Sequence, residues 1–283
     1  MTDQLGGLPL RLEGVVHLYP IPGGDVVALR GVDLRIQAGE IVGLLGPSGM
    51  GKSTLLRLLA ALYPPSAGRI WIGDTDIAQL GPRGRRKLRG RTVSLVLQGP
   101  AVNLLPYATV EQNLAFAARD RASRHRVGGL LELFGLGPLR HRVVATLSGG
   151  QQQRAAIATA LVPGPRVLLA DEPTSQLDHE ARDDVVRALF DVQRNLGATV
   201  VMVTHDPVVA RELPRLLTIR DGRVGAEGRS GEEFAVLGED GTIQLPPHVR
   251  AMIPPHSLLR VRVIDEGFLL EPADHVSDQG DGL

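Results

Sequence analysis

The chain has 283 residues, 43% of them hydrophobic, and its 31 Lys and Arg balance 31 Asp and Glu to a formal net charge of zero. That length can bury a large core as one domain or one plus a small one, and the charge balance gives no global pull toward nucleic acid. Without cysteine disulfide and thiol chemistry are excluded; no run nears the ~18 apolar residues of a membrane span, and Met1 to Leu12 lacks a secretion signal's charged start and apolar core. A soluble, cytoplasmic protein is expected.

Leu10 to Tyr19 and Ala28 to Ile36 alternate like half-buried strands, with Pro20 to Gly24 as the turn between them. The apolar run Ile41 to Leu45 leads into Gly46-Pro47-Ser48-Gly49-Met50-Gly51-Lys52-Ser53-Thr54, and Leu55 to Ala61 follows as a helix. Strand, glycine-rich loop and helix are the context that makes a P-loop credible. Its glycines let main-chain N–H groups close around phosphates, Lys52 reaches the β- and γ-phosphates, and Ser53 offers a hydroxyl to Mg²⁺. The chain has only two lysines, Lys52 and Lys87, and a guanidinium fork could not replace the compact ammonium in that loop.

The basic run Arg83 to Arg91 reads as a solvated helix and loop face, or as a patch for phosphates and headgroups. Next, the buried strand Thr92 to Leu97 places Gln98 at its end, where an amide can sense the γ-phosphate or Mg²⁺. Helical patterns cover Val110 to Arg119 and Arg126 to Phe134. At Leu147-Ser148-Gly149-Gly150-Gln151, Ser148 is an N-cap hydroxyl, the glycines clear the approach, and the helix runs on to Leu161. Its free N–H groups and dipole suit a phosphate, although the same residues also describe an ordinary capped helix.

Val167 to Ala170 delivers Asp171 and Glu172 to a sheet edge. Asp171 can hold Mg²⁺ through water and Glu172 can orient and deprotonate an attacking water; taken alone, the pair also fits a helix N-terminus. After the helix His179 to Leu196 and the strand Thr199 to Val203 comes His205, able to donate to the γ-phosphate or hold the water. Leu216 to Ile219 is a further buried strand. A Gln or a His at a strand end is commonly a satisfied surface residue. Convergence beside the P-loop is what gives these two weight, on an α/β core whose strand-end loops bind the ligand.

Together these residues resemble an ATP-binding cassette (ABC) subunit over about residues 8 to 226. The resemblance makes Gln98 the Q-loop, Leu147 to Gln151 the signature, Asp171 and Glu172 the Walker B pair and catalytic base, Ser175-Gln176-Leu177-Asp178 the D-loop, and His205 the switch histidine. It places Tyr19 where an aromatic stacks on adenine; the plainer alternative is a core tyrosine. The implied fold is a P-loop NTPase cassette over residues 1–227: a RecA-like parallel core, an antiparallel β subdomain and a helical subdomain at about 99–163. The implied cofactors are ATP and Mg²⁺.

The family's mechanism closes two cassettes head to tail over two ATP molecules, so that Lys52 of one copy and Ser148 and Gly150 of the other share a γ-phosphate. It implies ATP as ligand, glue and fuel at once, a homodimer, and a membrane permease supplied by another chain, with the cassette peripheral on the inner face of the membrane. Asn103-Leu104-Leu105-Pro106, Thr109-Val110-Glu111-Gln112-Asn113 and Val203-Thr204-His205-Asp206-Pro207 resemble the macrolide-exporter, lipoprotein-release and cell-division branch. The alternative function is a soluble ABC ATPase acting on a cytoplasmic macromolecule. Departures from the pattern are a Q-loop about two residues longer at Gly99 to Val102, Gln176 in the D-loop and Met50 in the P-loop.

Residues 228–283 are expected to form a small β-rich unit, with strands at Phe234 to Leu237, Thr242 to Leu245, Leu258 to Ile264 and Phe268 to Leu270 and a short helix at Pro246 to Met252. Gly241 to Pro247, Leu259 to Val263 and Gly267 to Pro272 resemble the swapped hairpins of AbrB-type regulators, which are intertwined dimers. Four arginines against ten acids in this tail would repel a phosphate backbone, so no nucleic acid is expected, and the unit reads either as a dimerisation element or as a generic accessory β domain.

Overall fold

The computed structural model describes residues 6–229 and, beyond them, 232–236, 241, 243, 245, 249, 252–253, 257, 259–264 and 267–272. Strands β1 (Leu10–Ile21) and β2 (Gly24–Ile36) form a hairpin, and β4 (Ala67–Ile72) with β5 (Thr75–Asp76) extends it to an antiparallel sheet of order β2-β1-β4-β5. Both long strands run further into the expected turn than their alternation suggests, leaving only Pro22 and Gly23 between them.

The larger sheet has the order β11-β10-β9-β3-β8-β7-β6, built from β3 (Ile41–Leu45), β6 (Val93–Val96), β7 (Val167–Asp171), β8 (Thr199–Val203), β9 (Arg215–Arg220), β10 (Arg223–Arg229) and β11 (Glu232–Ala235). Pairings from β9 through β6 are parallel, and β10 and β11 add antiparallel strands at one edge. The strand expected at Phe234 to Leu237 is therefore β11, shifted two residues earlier and paired into the cassette's own sheet.

Every residue of β7 and β8 is buried, as strands covered on both faces should be. Their alternate side chains feed two cores. Leu168, Ala170, Val200 and Met202 pack with the helices α3 (Val110–Ala117), α4 (Arg121–Leu133), α5 (Gly149–Leu161) and α6 (His179–Leu196). Val167, Leu169, Val201 and Val203 pack instead under β1, β2, β4 and α1 (Lys52–Leu59). The period of two along a strand thus separates the helical side from the β side.

Two further helices, α2 (Pro82–Arg91) and α7 (Pro207–Glu212), begin at proline, whose fixed φ and missing donor suit a helix start. α4 begins five residues before its apolar pattern because Asp120 caps it, accepting from the Ser123 amide at 2.8 Å. In the tail, β12 (Leu259–Ile264) and β13 (Gly267–Pro272) form an antiparallel hairpin. Val261 opposes Leu270 and Val263 opposes Phe268, so one face is apolar, and Val261, Val263 and Phe268 are exposed. The expected strand Thr242 to Leu245 and helix Pro246 to Met252 lie largely outside the described residues.

Candidate functional site

The P-loop is pressed from two sides. A side chain at Gly46, with φ 139°, would come within 2.1 Å of the Ile219 carbonyl of β9, and one at Gly51, with φ 94°, within 2.5 Å of the Ala28 carbonyl of β2. Glycine is the residue that such close backbone approach permits. Lys52 curls over this loop and donates to the carbonyls of Gly46 at 2.6 Å and Pro47 at 2.7 Å. Burial lowers its pKa, while the nearby Glu172 and Asp171 charges oppose that shift. An arriving phosphate would offer this ammonium a full charge in place of two carbonyls.

Ser53 donates to Asp171 Oδ1 at 3.1 Å. Asp171 ends β7 at 6% exposure; burial raises its pKa, the Ser53 hydrogen bond lowers it, and the Glu172 charge raises it further. A hydroxyl beside one buried carboxylate is an oxygen-donor set that fits Mg²⁺, which keeps several waters and takes other ligands from substrate phosphates. Among the described residues no group of three or more His, Cys, Asp or Glu could cage a metal.

One residue on, Glu172 takes φ 47°, an uncommon conformation for a residue with a side chain, and its amide donates to the Val203 carbonyl at 3.1 Å. Its two oxygens are held separately: Gln98 Nε2 donates to Oε2 at 2.9 Å, and His205 Nδ1 lies 3.2 Å from Oε1. Thus β6, β7 and β8, through their carboxyl ends, bring Gln98, Glu172 and His205 to one point. Beside it a cavity of about 280 Å³ is lined by Glu172, Thr174 to Leu177 and Thr204 to Pro207.

Ser148 caps α5 as expected: its hydroxyl accepts from the Gln151 amide at 3.3 Å, and Gln151 Oε1 accepts from the Ser148 amide at 3.1 Å. Gly150 has a second reason to be glycine that its sequence context does not show. A Cβ there would lie 2.5 Å from Ala181 Cβ of α6, while one at Gly149 would meet Leu177 at 3.5 Å. Asp178 caps α6, accepting from the Ala181 amide at 2.8 Å. The signature therefore neighbours the D-loop of its own chain.

The Tyr19 hydroxyl lies 3.2 Å from Thr54 Oγ1 and 2.5 Å from the Tyr63 hydroxyl, and its ring meets His17 edge-on at 4.9 Å. Ser48 and Gly49 lie in the P-loop turn, Gly49 with φ 80° and open space around its Cα.

Several residues that build the site are not marked for it in the sequence. Asn103 accepts from the Leu97 amide at 2.9 Å and donates to the carbonyls of Leu97 and Gly99 at 2.8 and 2.7 Å, closing the loop after Gln98 around a 3-10 turn at Pro100–Val102. Gln152 donates to the carbonyls of Val144 and Leu147, each at 3.1 Å, and fixes the approach to Ser148. Tyr63 carries no pattern that ties it to Tyr19, 44 positions away.

The profile of the family described as ABC transporter matches residues 29–175. The chain is 45% identical over 242 residues to the lipoprotein-releasing system ATP-binding protein LolD of Anaeromyxobacter dehalogenans, a match covering 82% of this chain and 100% of that protein. It is 41% identical over 237 residues to the macrolide export ATP-binding/permease protein MacB of Burkholderia lata, covering 82% of this chain and 34% of that one. A solved dimeric, post-hydrolysis structure of the ATP-binding cassette MJ0796 bound to ADP and Pi is similar at TM-score 0.70 and 35% identity, covering 78% of this chain and 98% of that one. With its P-loop, paired acids and capped signature helix on a cassette fold, the chain belongs to the ABC transporter family as an ATP-hydrolysing, ATP-binding subunit of the branch that includes LolD and MacB.

Proposed function

We propose that two copies of this chain close head to tail over two Mg-ATP and so drive a separate membrane subunit in export or lipoprotein and cell-envelope work. The observation that carries this reading is the presence of two sets of phosphate-binding groups on one chain. Lys52, Ser53, Asp171, Gln98, Glu172 and His205 converge within one copy, whereas Ser148 and Gly150 sit by the D-loop with the helix N-terminus of α5 to offer. The dimeric state of the MJ0796 cassette and the permease half in the name of the MacB relative support the two partners. Among the described residues no helix is long and apolar enough to cross a membrane; the reading puts the membrane subunit on another chain and this one at the membrane's inner face.

In this reading Lys52 leaves its carbonyls for the β- and γ-phosphates, held with Ser48, Gly49, Gly51 and Thr54, and Tyr19 faces the adenine. Ser53, Gln98 and Asp171 would hold Mg²⁺, which would supply charge neutralisation at the phosphates. Glu172 takes the proton of the attacking water, His205 steadies that water or the γ-phosphate, and ATP and water give ADP and phosphate. Ser148, Gly149, Gly150, Gln151 and Asp178 complete the partner's site. Glu172→Gln is expected to lower turnover by about 10² to 10⁴ fold while leaving ATP binding intact; near-normal turnover by steady-state ATPase assay would remove Glu172 from the role of base.

The β12–β13 hairpin extends the same reading. Two strands alone are marginal in water, and its exposed apolar face is matched in chemistry and symmetry by the same face of a second copy. We assign this hairpin, beyond the strand β11 that belongs to the cassette's sheet, a role in holding the pair together.

A further inference from the structure

The basic helix α2 is sorted by its own periodicity. Arg85 and Arg89, one turn apart, turn inward and donate to the carbonyls of Leu80 and Ala61. Arg83, Arg86, Lys87 and Arg91 fall on the opposite stripe at spacings of three, four and eight. That stripe forms one wall of a cleft of about 900 Å³, the other wall coming from Arg119, Asp120 and Ser123 at the start of α4 and from Pro163. Gly90 makes room for the second wall: a Cβ there would lie 2.5 Å from Arg119 Nη1.

Five cations thus surround one carboxylate. Asp120 caps α4 by accepting from both the amide and the hydroxyl of Ser123 at 2.8 Å, and its charge, which also acts on Arg91, offsets only one of the five. Concentrating like charge in a cleft costs energy unless an anion shares it. Arginine forks match the oxygens of a phosphate. Among the described residues the only apolar side chain in the lining is Pro163, and the remaining nonpolar surface comes from Gly90 and the aliphatic stems of the basic residues, so the cleft lacks the large apolar side chains against which a docked peptide helix anchors.

We propose that the cleft between α2 and α4 is an anion site that takes a phosphate group, presented by an anionic phospholipid headgroup or by a free polyphosphate. It is separate from the P-loop and needs neither hydrolysis nor the second cassette.

The test uses the full chain with ADP held in the P-loop and the variant Arg83→Gln/Lys87→Gln/Arg119→Gln, whose altered side chains are all exposed. A control, Arg187→Gln/Arg194→Gln/Arg211→Gln, removes the same charge elsewhere. Binding is measured by co-sedimentation with phosphatidylcholine vesicles, with and without phosphatidylglycerol, and by calorimetry with tripolyphosphate. Each basic residue near an anionic surface contributes about fivefold, so the cleft variant should bind phosphatidylglycerol vesicles on the order of a hundredfold more weakly while the control and basal ATPase rate stay near wild type. Cleft-dependent binding of vesicles identifies a headgroup site; cleft-dependent binding of tripolyphosphate alone identifies a soluble phosphate ligand. Equal losses in variant and control, or no binding of either probe, would overturn the proposal, as would tighter cleft-dependent binding of polyglutamate, which would make the site one for an acidic protein segment.

Discussion

Glu172 holds a left-handed backbone with its two carboxylate oxygens toward Gln98 and His205, and Asp171 beside it is buried against Ser53. These neighbouring acids are separated by environment. For Asp171, burial raises the folded pKa above the ordinary carboxylate range, so ionisation is a cost to the folded state. The nucleotide-free protein accordingly loses stability as pH rises from the unfolded pKa to the folded one and carries that loss at neutral pH. Asp171→Asn is expected to raise the melting temperature of the empty protein at pH 7, to lose that advantage at pH 3, and to weaken Mg²⁺-dependent ATP binding; thermal scans at the two pH values check it. The identity of these acids was legible from a strand followed by Asp-Glu. Their hydrogen bonds were not, because Gln98 and Glu172 are 74 positions apart and only the sheet order brings them together.

At the level of elements, the strands and helices with strong periodicity were legible, β1, β2, β3, β7, β8, α5 and α6 among them. β4 carries only a short apolar run and begins beside Gly68, where a Cβ would strike the Gly14 carbonyl at 2.3 Å; close packing of backbones leaves no side-chain pattern to read. α7, six residues long, is too short for a period. Likewise the contact of α5 with α6 was hidden in a glycine whose sequence context pointed to a ligand. Gly150→Ala places a methyl against Ala181, so it should destabilise the fold by about 1–3 kcal/mol even without nucleotide, measured by denaturant titration. An unchanged midpoint would return Gly150 to a purely ligand-facing role. The Asn103 and Asn113 brackets are of the same kind: Asn113 accepts from the Leu105 amide at 2.7 Å, and nothing local announces which amide an asparagine will choose.

For the whole molecule, pairing is the central issue, and the cassette and the tail bear on it separately. Because β10 and β11 carry the main sheet to Ala235, a cut at 228 would damage the cassette, and point changes on the hairpin are the cleaner probe. Val261→Asp/Val263→Asp/Phe268→Asp should shift the nucleotide-free protein toward monomer in light scattering; an unchanged dimer would take the hairpin out of the pairing account. The composite ATP site can be tested independently of the tail, since the chain contains no cysteine. Copies carrying Glu172→Gln with Ser48→Cys are mixed with copies carrying Glu172→Gln with Ser148→Cys and treated with a short bifunctional maleimide. The account predicts that Mg-ATP links the two different chains into a species of twice the mass, and that omission of nucleotide does not. Failure to link the mixture in Mg-ATP, together with linkage inside one chain carrying both Ser48→Cys and Ser148→Cys, would contradict it.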